Sequence, residues 1–422
     1  MLNKLKPKSE FSRNVLTLMT GTSIAQAIPI AISPILTRIY TPEDFGMFAL
    51  YMSIASILAA VATGRYELAI MLPKKDEDAI NIVVLSIGIS FIISIFCFLI
   101  IYIFNSNISS LFKNSEISTW LYFIPFTIML TGIYQSLNFW HNRSKNYKNL
   151  SKARIMQSST TATTNLTMGP LIIGPIGLVL GNILGQIISV FYLTKKIFLP
   201  NNKYLWRNIS FSKIITLAKR YKKFPQFDAM ATLFNISSHQ SAHIFFNISF
   251  GAISSGYYYL VQKIFGLPIL LIASSIQDVF KEKMIEIYNS KGDTRSFFII
   301  TFRKLFLLAL IPTILIYFFA IDIFIFFFGD EWKPAGEFVQ ILIPAFFLRF
   351  ISFPLSFMFY IAEKQHYNII GQFLLLIMIL FAFLIGKDYS STFTIELISI
   401  FTSIFYLIYL YLSYQFTSRG LK

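Results

Sequence analysis

Eight ionisable side chains, Arg65, Glu67, Asp228, His239, His243, Lys263, Arg349 and Glu396, stand in stretches that are otherwise apolar over the roughly 20 residues a helix needs to cross a bilayer. Charge in hydrocarbon is expensive, so such groups tend to face a protein interior or a water-filled space. Arg and Lys are the usual partners of phosphate. Arg349, Lys263 and Arg65 therefore point to an anionic ligand. Arg65 is nearer the end of its stretch, where it has the alternative of snorkelling to headgroups. His239, His243, Asp228 and Glu67 are the titratable candidates for a proton-coupled step, His being the side chain that changes charge near neutral pH.

Uncharged polar residues accompany these charges. The stretch from Gln157 to Thr167 includes Thr161 and Asn165 among a run of hydroxyls and amides. Two readings stay open: helix packing through Ser and Thr, and a wall that hydrogen-bonds sugar hydroxyls, since each hydroxyl both donates and accepts. Gln26, Gln135 and Asn138 would extend that wall. His239 and His243 share the spacing of a zinc-binding HExxH helix, but Gln240 occupies the place of the general base. No metal or cofactor is expected. No GxxxxGK[ST] loop is present to hold nucleotide phosphates and no GxSxG elbow, so neither direct use of ATP nor serine hydrolysis is expected.

The elements that must position these residues follow from composition. The chain is 55% hydrophobic and only 13% charged, against about 25% charged in soluble domains. It reads as an all-α integral membrane protein. Twelve stretches of spanning length lie at about 14–37, 45–71, 80–104, 118–140, 154–173, 175–194, 227–250, 256–280, 297–321, 338–362, 368–386 and 392–416. The basic residues crowd into the N-terminal tail and the even-numbered connections, while the odd-numbered ones hold only Arg38, Lys113, Lys333 and Lys387. The positive-inside rule then places both termini in the cytoplasm. A net charge of +16 is accounted for by anionic headgroups on that face, without nucleic acid. The lone Cys97 excludes a disulfide framework.

The basic tail and the Ala25-Gln26-Ala27 triplet imitate a cleaved signal peptide, but the apolar run continues to Leu36, so an uncleaved first helix is expected. Gly174-Pro175 joins the fifth and sixth spans almost without a loop. The one long connection, from about Lys195 to Phe224, holds nine basic residues and Trp206 and reads as an amphipathic linker on the inner leaflet. It separates an N-terminal lobe (1–194), the linker (195–226) and a C-terminal lobe (227–422). Residues 45–51 and 255–261 match weakly at a spacing of 210. Two six-helix lobes in the same orientation, related by a pseudo-two-fold axis along the membrane normal around a central cationic cavity, are the expected architecture.

Two strings carry a family resemblance. Residues 33–46, Ser-Pro-Ile-Leu-Thr-Arg-Ile-Tyr-Thr-Pro-Glu-Asp-Phe-Gly, and 65–73, Arg-Tyr-Glu-Leu-Ala-Ile-Met-Leu-Pro, resemble Wzx-type polysaccharide repeat-unit flippases of the multidrug/oligosaccharidyl-lipid/polysaccharide exporter superfamily. The resemblance implies a bacterial inner-membrane protein that moves undecaprenyl-diphosphate-linked oligosaccharide between leaflets by alternating access, for O-antigen or capsule synthesis. Arg349, Lys263 and Arg65 would hold the diphosphate, and Gln26, Gln157, Thr161 and Asn165 the glycan. Implied partners are the lipid-linked oligosaccharide, membrane lipids, a polysaccharide polymerase and a chain-length regulator. Two other classes stay open. A drug or metabolite exporter of the same superfamily would place several acids in its cavity; a membrane enzyme of polysaccharide assembly would carry a larger outward loop. Arg38 has a second role available, holding the first hairpin to Glu43 or Asp44.

Overall fold

The computed structural model describes residues 10–112, 116–171, 174–197, 207–290 and 292–419, in which every regular element is a helix. The tail 1–9, Lys113, Trp206 and Lys291 lie outside the described residues. Eight segments are long and apolar enough to cross a membrane: Thr17–Ile39, Asp76–Leu111, Ile117–Arg143, Ile176–Ile197, Phe224–Asn289, Thr294–Phe328, Asp330–Ile361 and Ser391–Thr417. Phe224–Asn289 takes in two of the twelve expected spans. The second, fifth and eleventh expected spans fall on helices outside this set. The helix that carries the start of the second, Pro42–Ala59, opens with Glu43 and Asp44, the fifth is rich in hydroxyls, and the eleventh has a shorter apolar run, Ile370–Gly386. The chain is a multi-pass membrane protein.

The described residues group into two compact units, 1–244 and 245–422. In the first, α1 (Glu10–Ala31), α2 (Ser33–Ile39) and α3 (Pro42–Ala59) precede a 3-10 turn, Tyr66–Met71. They are followed by α4 (Asp76–Leu111), α5 (Ile117–Leu121), α6 (Ile124–Arg143), α7 (Tyr147–Met168), α8 (Ile176–Ile197) and α9 (Phe211–Arg220). The start of α3 is locally encoded. Pro42 occupies its first turn, and Thr41 and Asp44 close a capping box, Asp44 Oδ2 accepting from Thr41 N at 2.9 Å. Arg38 Nη1 donates to Pro34 O at 2.6 Å.

Small residues let the helices of this unit approach. A Cβ on Gly21 of α1 would run into Ser151 of α7, whose Oγ donates to Thr17 O at 2.8 Å. On α8, Gly177, Gly181 and Gly185 sit against Tyr40, Asn165 and Thr161, as small residues do where membrane helices meet. Gly174, at φ 90°, makes the turn between α7 and α8. Beneath these contacts Ile70, Ile80, Val83, Leu137, Trp140 and Leu193 form a core.

The linker helix α9 belongs to this first unit. Leu217 is buried against α4, while Phe211, Ile215, Lys213, Lys219 and Arg220 are exposed. Asn81 fixes the approach to α9, donating to Asn208 O at 3.1 Å and accepting from Ser210 N at 3.0 Å. Tyr66 Oη donates to Ala218 O at 3.0 Å.

A π-helical turn, Phe224–Asp228, leads into α10 (Ala229–Val261), within which the division between units falls. That helix is broken at Gly251 (φ 81°, ψ 177°), a conformation open to glycine, in the expected connection between spans. A second π-turn, Gln262–Gly266, opens α11 (Leu267–Asn289). Then come α12 (Thr294–Phe328), α13 (Lys333–Leu355), α14 (Met358–Ile361), α15 (Gln365–Gly386) and α16 (Ser391–Arg419). Phe280, Phe298, Leu305, Leu355, Phe359 and Tyr409 form the core of the second unit.

Candidate functional site

The end of α3 passes into a tight bend in which Gly64 and Arg65 both adopt positive φ, 59° and 61°. A left-handed non-glycine residue costs on the order of 1–3 kcal/mol and persists where its surroundings hold it. Here two carboxylates do so. Arg65 Nη1 donates to Glu67 Oε1 at 2.9 Å and Arg65 Nε to Asp228 Oδ2 at 2.7 Å. Glu67 is wholly buried and its second oxygen accepts from Thr63. One cation thus faces two carboxylates, and with both ionised the cluster is anionic. Arg65 spends two of the five N–H donors of its guanidinium on these acids, whose charge opposes the approach of an anion.

Asp228 ends the first π-turn and is the accessible member, its side chain 43% exposed against 0% for Glu67. It lines an open surface hollow of about 380 Å³ with Lys223, Phe224, Phe227 and Ala231. π-turns occur often at functional sites. Lys263 lies in the other one. His239 and His243 stand farther along α10, about 16 Å or more from Asp228 by helical rise, so the structure separates them from the acid pair. His239 is exposed, His243 half-buried, and Gln240 between them accepts from Ser53 Oγ at 3.1 Å.

In the second unit Lys263 and Arg349 are both half-buried. The Tyr258 hydroxyl accepts from Gln262 Nε2, beside Lys263, at 3.0 Å. Glu396 is exposed on α16.

The hydroxylated helix α7 spends much of its polarity on α8. Thr161 Oγ1 donates to Gly181 O at 3.0 Å, and the Asn165 amide, its nitrogen assigned to the end that faces only acceptors, donates to Thr161 O and Gly177 O at 3.0 Å each. Tyr40 Oη donates to Asn165 O at 2.8 Å. Burial, helped by the Asp44 carboxylate, pushes this phenol up to about 12, so it remains a donor. Gln157 is half-buried on α7 and Gln26 exposed on α1, the helix packed against α7.

One cation escapes sequence reasoning. Arg154 is the first residue of the expected fifth span and reads as one more member of the basic group Arg143, Lys148 and Lys152. The structure sets it two turns inside α7, its Nη1 donating to Thr22 Oγ1 on α1 at 2.5 Å. Residue type alone does not separate it from the preceding loop; the start of the helix at Tyr147 does so.

The fold these helices make is that of membrane transporters of the MOP superfamily. A multidrug resistance MATE family transporter in an inward-facing conformation superposes with a TM-score of 0.72 at 15% identity, covering 95% of each chain. The lipid II flippase MurJ, inward closed, gives 0.72 at 14% identity over 95% of this chain and 87% of its own. A MOP superfamily transporter from Pyrococcus furiosus gives 0.62 at 14% identity over 97% and 96%. Residues 35–337 match the family described as polysaccharide biosynthesis protein, and the chain belongs to that family. No curated protein sequence matches it significantly.

Proposed function

We propose that this protein translocates an undecaprenyl-diphosphate-linked oligosaccharide from the cytoplasmic to the periplasmic leaflet of a bacterial inner membrane by alternating access, in O-antigen or capsule synthesis. The observation that carries this reading is the polysaccharide-biosynthesis match over residues 35–337, in a chain with Arg349 and Lys263 inside its apolar helices. Arg349 and Lys263 would engage the diphosphate. Gln26 and Gln157 would face the glycan, with Thr161 and Asn165 chiefly holding α7 to α8. Both termini would be cytoplasmic, and twelve helices would enclose a cationic cavity. A polymerase and a chain-length regulator would take up the product.

The acid pair on Arg65 supports a proton-coupled cycle. Asp228 lines an open hollow and Glu67 is buried on the same guanidinium, so protonating either carboxylate would loosen the cluster, and a load shifts a conformational balance when its affinity differs between the two states. His239 and His243 are further candidates. A drug or metabolite exporter of the same fold is the second reading, favoured by those same carboxylates.

Deletion with plasmid complementation tests the proposal. Loss of surface glycan, with undecaprenyl-linked repeat units accumulating on the cytoplasmic side, is the expected result. Normal glycan in a deletion strain without a second transporter would refute it.

A further inference from the structure

Arg154 differs from Arg65 and Arg143 in how its charge is met. Arg65 is held by Glu67 and Asp228, and Arg143 by Asp76 at 2.9 Å. Among the described residues no carboxylate lies within ion-pair distance of Arg154. Its partner is a neutral hydroxyl, Thr22 Oγ1, which itself donates to Leu18 O at 2.7 Å and so turns a lone pair to the guanidinium. The mount is rigid, because Gly21 and Ser151 bring α1 and α7 into contact one turn away. Arg154 stands about 10 Å along α7, the expected fifth span, from its start, and a cation without a carboxylate partner at such a place either snorkels or faces a polar space. Its neighbours decide between these. Gln157 and Ser158 lie one turn onward on α7, and Gln26 one turn from Thr22 on α1; a lipid-facing arginine would be flanked by apolar side chains. Thr22 takes one of the five N–H donors of a guanidinium, leaving the rest of the fork for a bidentate anion.

We infer that Arg154, positioned by Thr22 and flanked by Gln26 and Gln157, is a phosphate-binding subsite of the N-terminal unit, its ligand the diphosphate of a polyprenyl carrier. This rests on the flippase reading. It gives the first unit an anion ligand of its own, where Arg65 is already engaged by acids, and it places amide side chains next to the phosphate, where the first sugar would be attached.

The test is binding of farnesyl diphosphate, farnesol and phosphatidylglycerol to the full-length protein in detergent, read by native mass spectrometry. Wild type should bind the diphosphate and not the alcohol. Arg154→Gln should weaken diphosphate binding about ten- to hundredfold, the range for a lost charged hydrogen-bonding pair. Arg154→Lys should fall between, keeping charge without the fork. Thr22→Val, which leaves the charge in place, should weaken binding severalfold and serves if Arg154→Gln fails to fold. Wild-type diphosphate affinity in folded Arg154→Gln and Thr22→Val overturns the subsite. So does an equal loss for phosphatidylglycerol, which makes Arg154 an ordinary headgroup anchor. Complementation separates this failure from that of the function: Arg154→Gln restoring glycan export at the wild-type rate removes the subsite and leaves the flippase, whereas a deletion strain with normal glycan removes both.

Discussion

Arg65 and Asp228, 163 residues apart in sequence, meet at 2.7 Å, so that the bend after α3 is tied to the π-turn that opens α10. The same guanidinium holds the buried Glu67.

This arrangement makes the three members unequal. Arg65→Ala strands a fully buried carboxylate and should destabilise the protein by about 3–5 kcal/mol, the range for removing one partner of a buried pair. Asp228→Asn removes a half-exposed partner and should cost about 0–1 kcal/mol. Thermal unfolding in detergent compares them, and equal losses would show that Arg65 does not support Glu67.

Helix packing gives a steric prediction. A Cβ at Gly181 would collide with Asn165, so Gly181→Val should cost about 1–3 kcal/mol by overpacking the α7 and α8 contact. At Gly88 on α4 a Cβ meets nothing within 4 Å. Gly88→Ala should therefore be neutral or stabilise by up to about 1 kcal/mol, through helix propensity. Melting temperatures of the two variants in one detergent check both signs.

Asp293 caps α12, its carboxylate accepting from Ser296 Oγ at 2.6 Å and Ser296 N at 3.0 Å. These hydrogen bonds hold its carboxyl below the usual range. A folded-state pKa that is depressed contributes stability above the unfolded value, near ~4 for Asp, and loses it as pH falls through the lower folded value. Asp293→Ala should accordingly lower the melting temperature at neutral pH, and the gap from wild type should close in acid. A gap that widened below pH ~4 would contradict the cap.

Removing intramembrane charge tests the ligand assignment. Arg349→Ala and Lys263→Ala should each impair glycan export at normal membrane levels, since both delete a cation without adding a polar group to the bilayer. Arg349→Lys should restore export in part if charge alone suffices, and poorly if a bidentate grip is needed. Full export by both Ala variants would assign the two side chains to packing.

Topology follows from charge asymmetry. Reporter fusions at Lys148 and Lys213 should report cytoplasm, and a fusion at Lys333 periplasm. Reversal at two of these positions would break the twelve-span arrangement.

The amino-acid sequence by itself established a helical membrane protein, most of its spans and the family strings at residues 33–46 and 65–73, because these are local properties. A helix in lipid satisfies its own backbone hydrogen bonds, so apolar length and flanking charge mark its place without reference to the rest of the chain. The capping box at Thr41 and Asp44 and the turn at Gly174-Pro175 are local in the same way. What each polar side chain meets is not. Arg65 has the composition of an anion ligand, yet the fold hands it to a carboxylate 163 residues away. Thr161 and Asn165 resemble a sugar-binding wall, yet the glycines of α8 draw that face into a packing seam. Arg154 looks like a loop charge until α1 brings Thr22 to it. In each case the partner is supplied by a distant helix, and which faces come together is decided by the packing of many side chains at once, so only the tertiary structure could decide it.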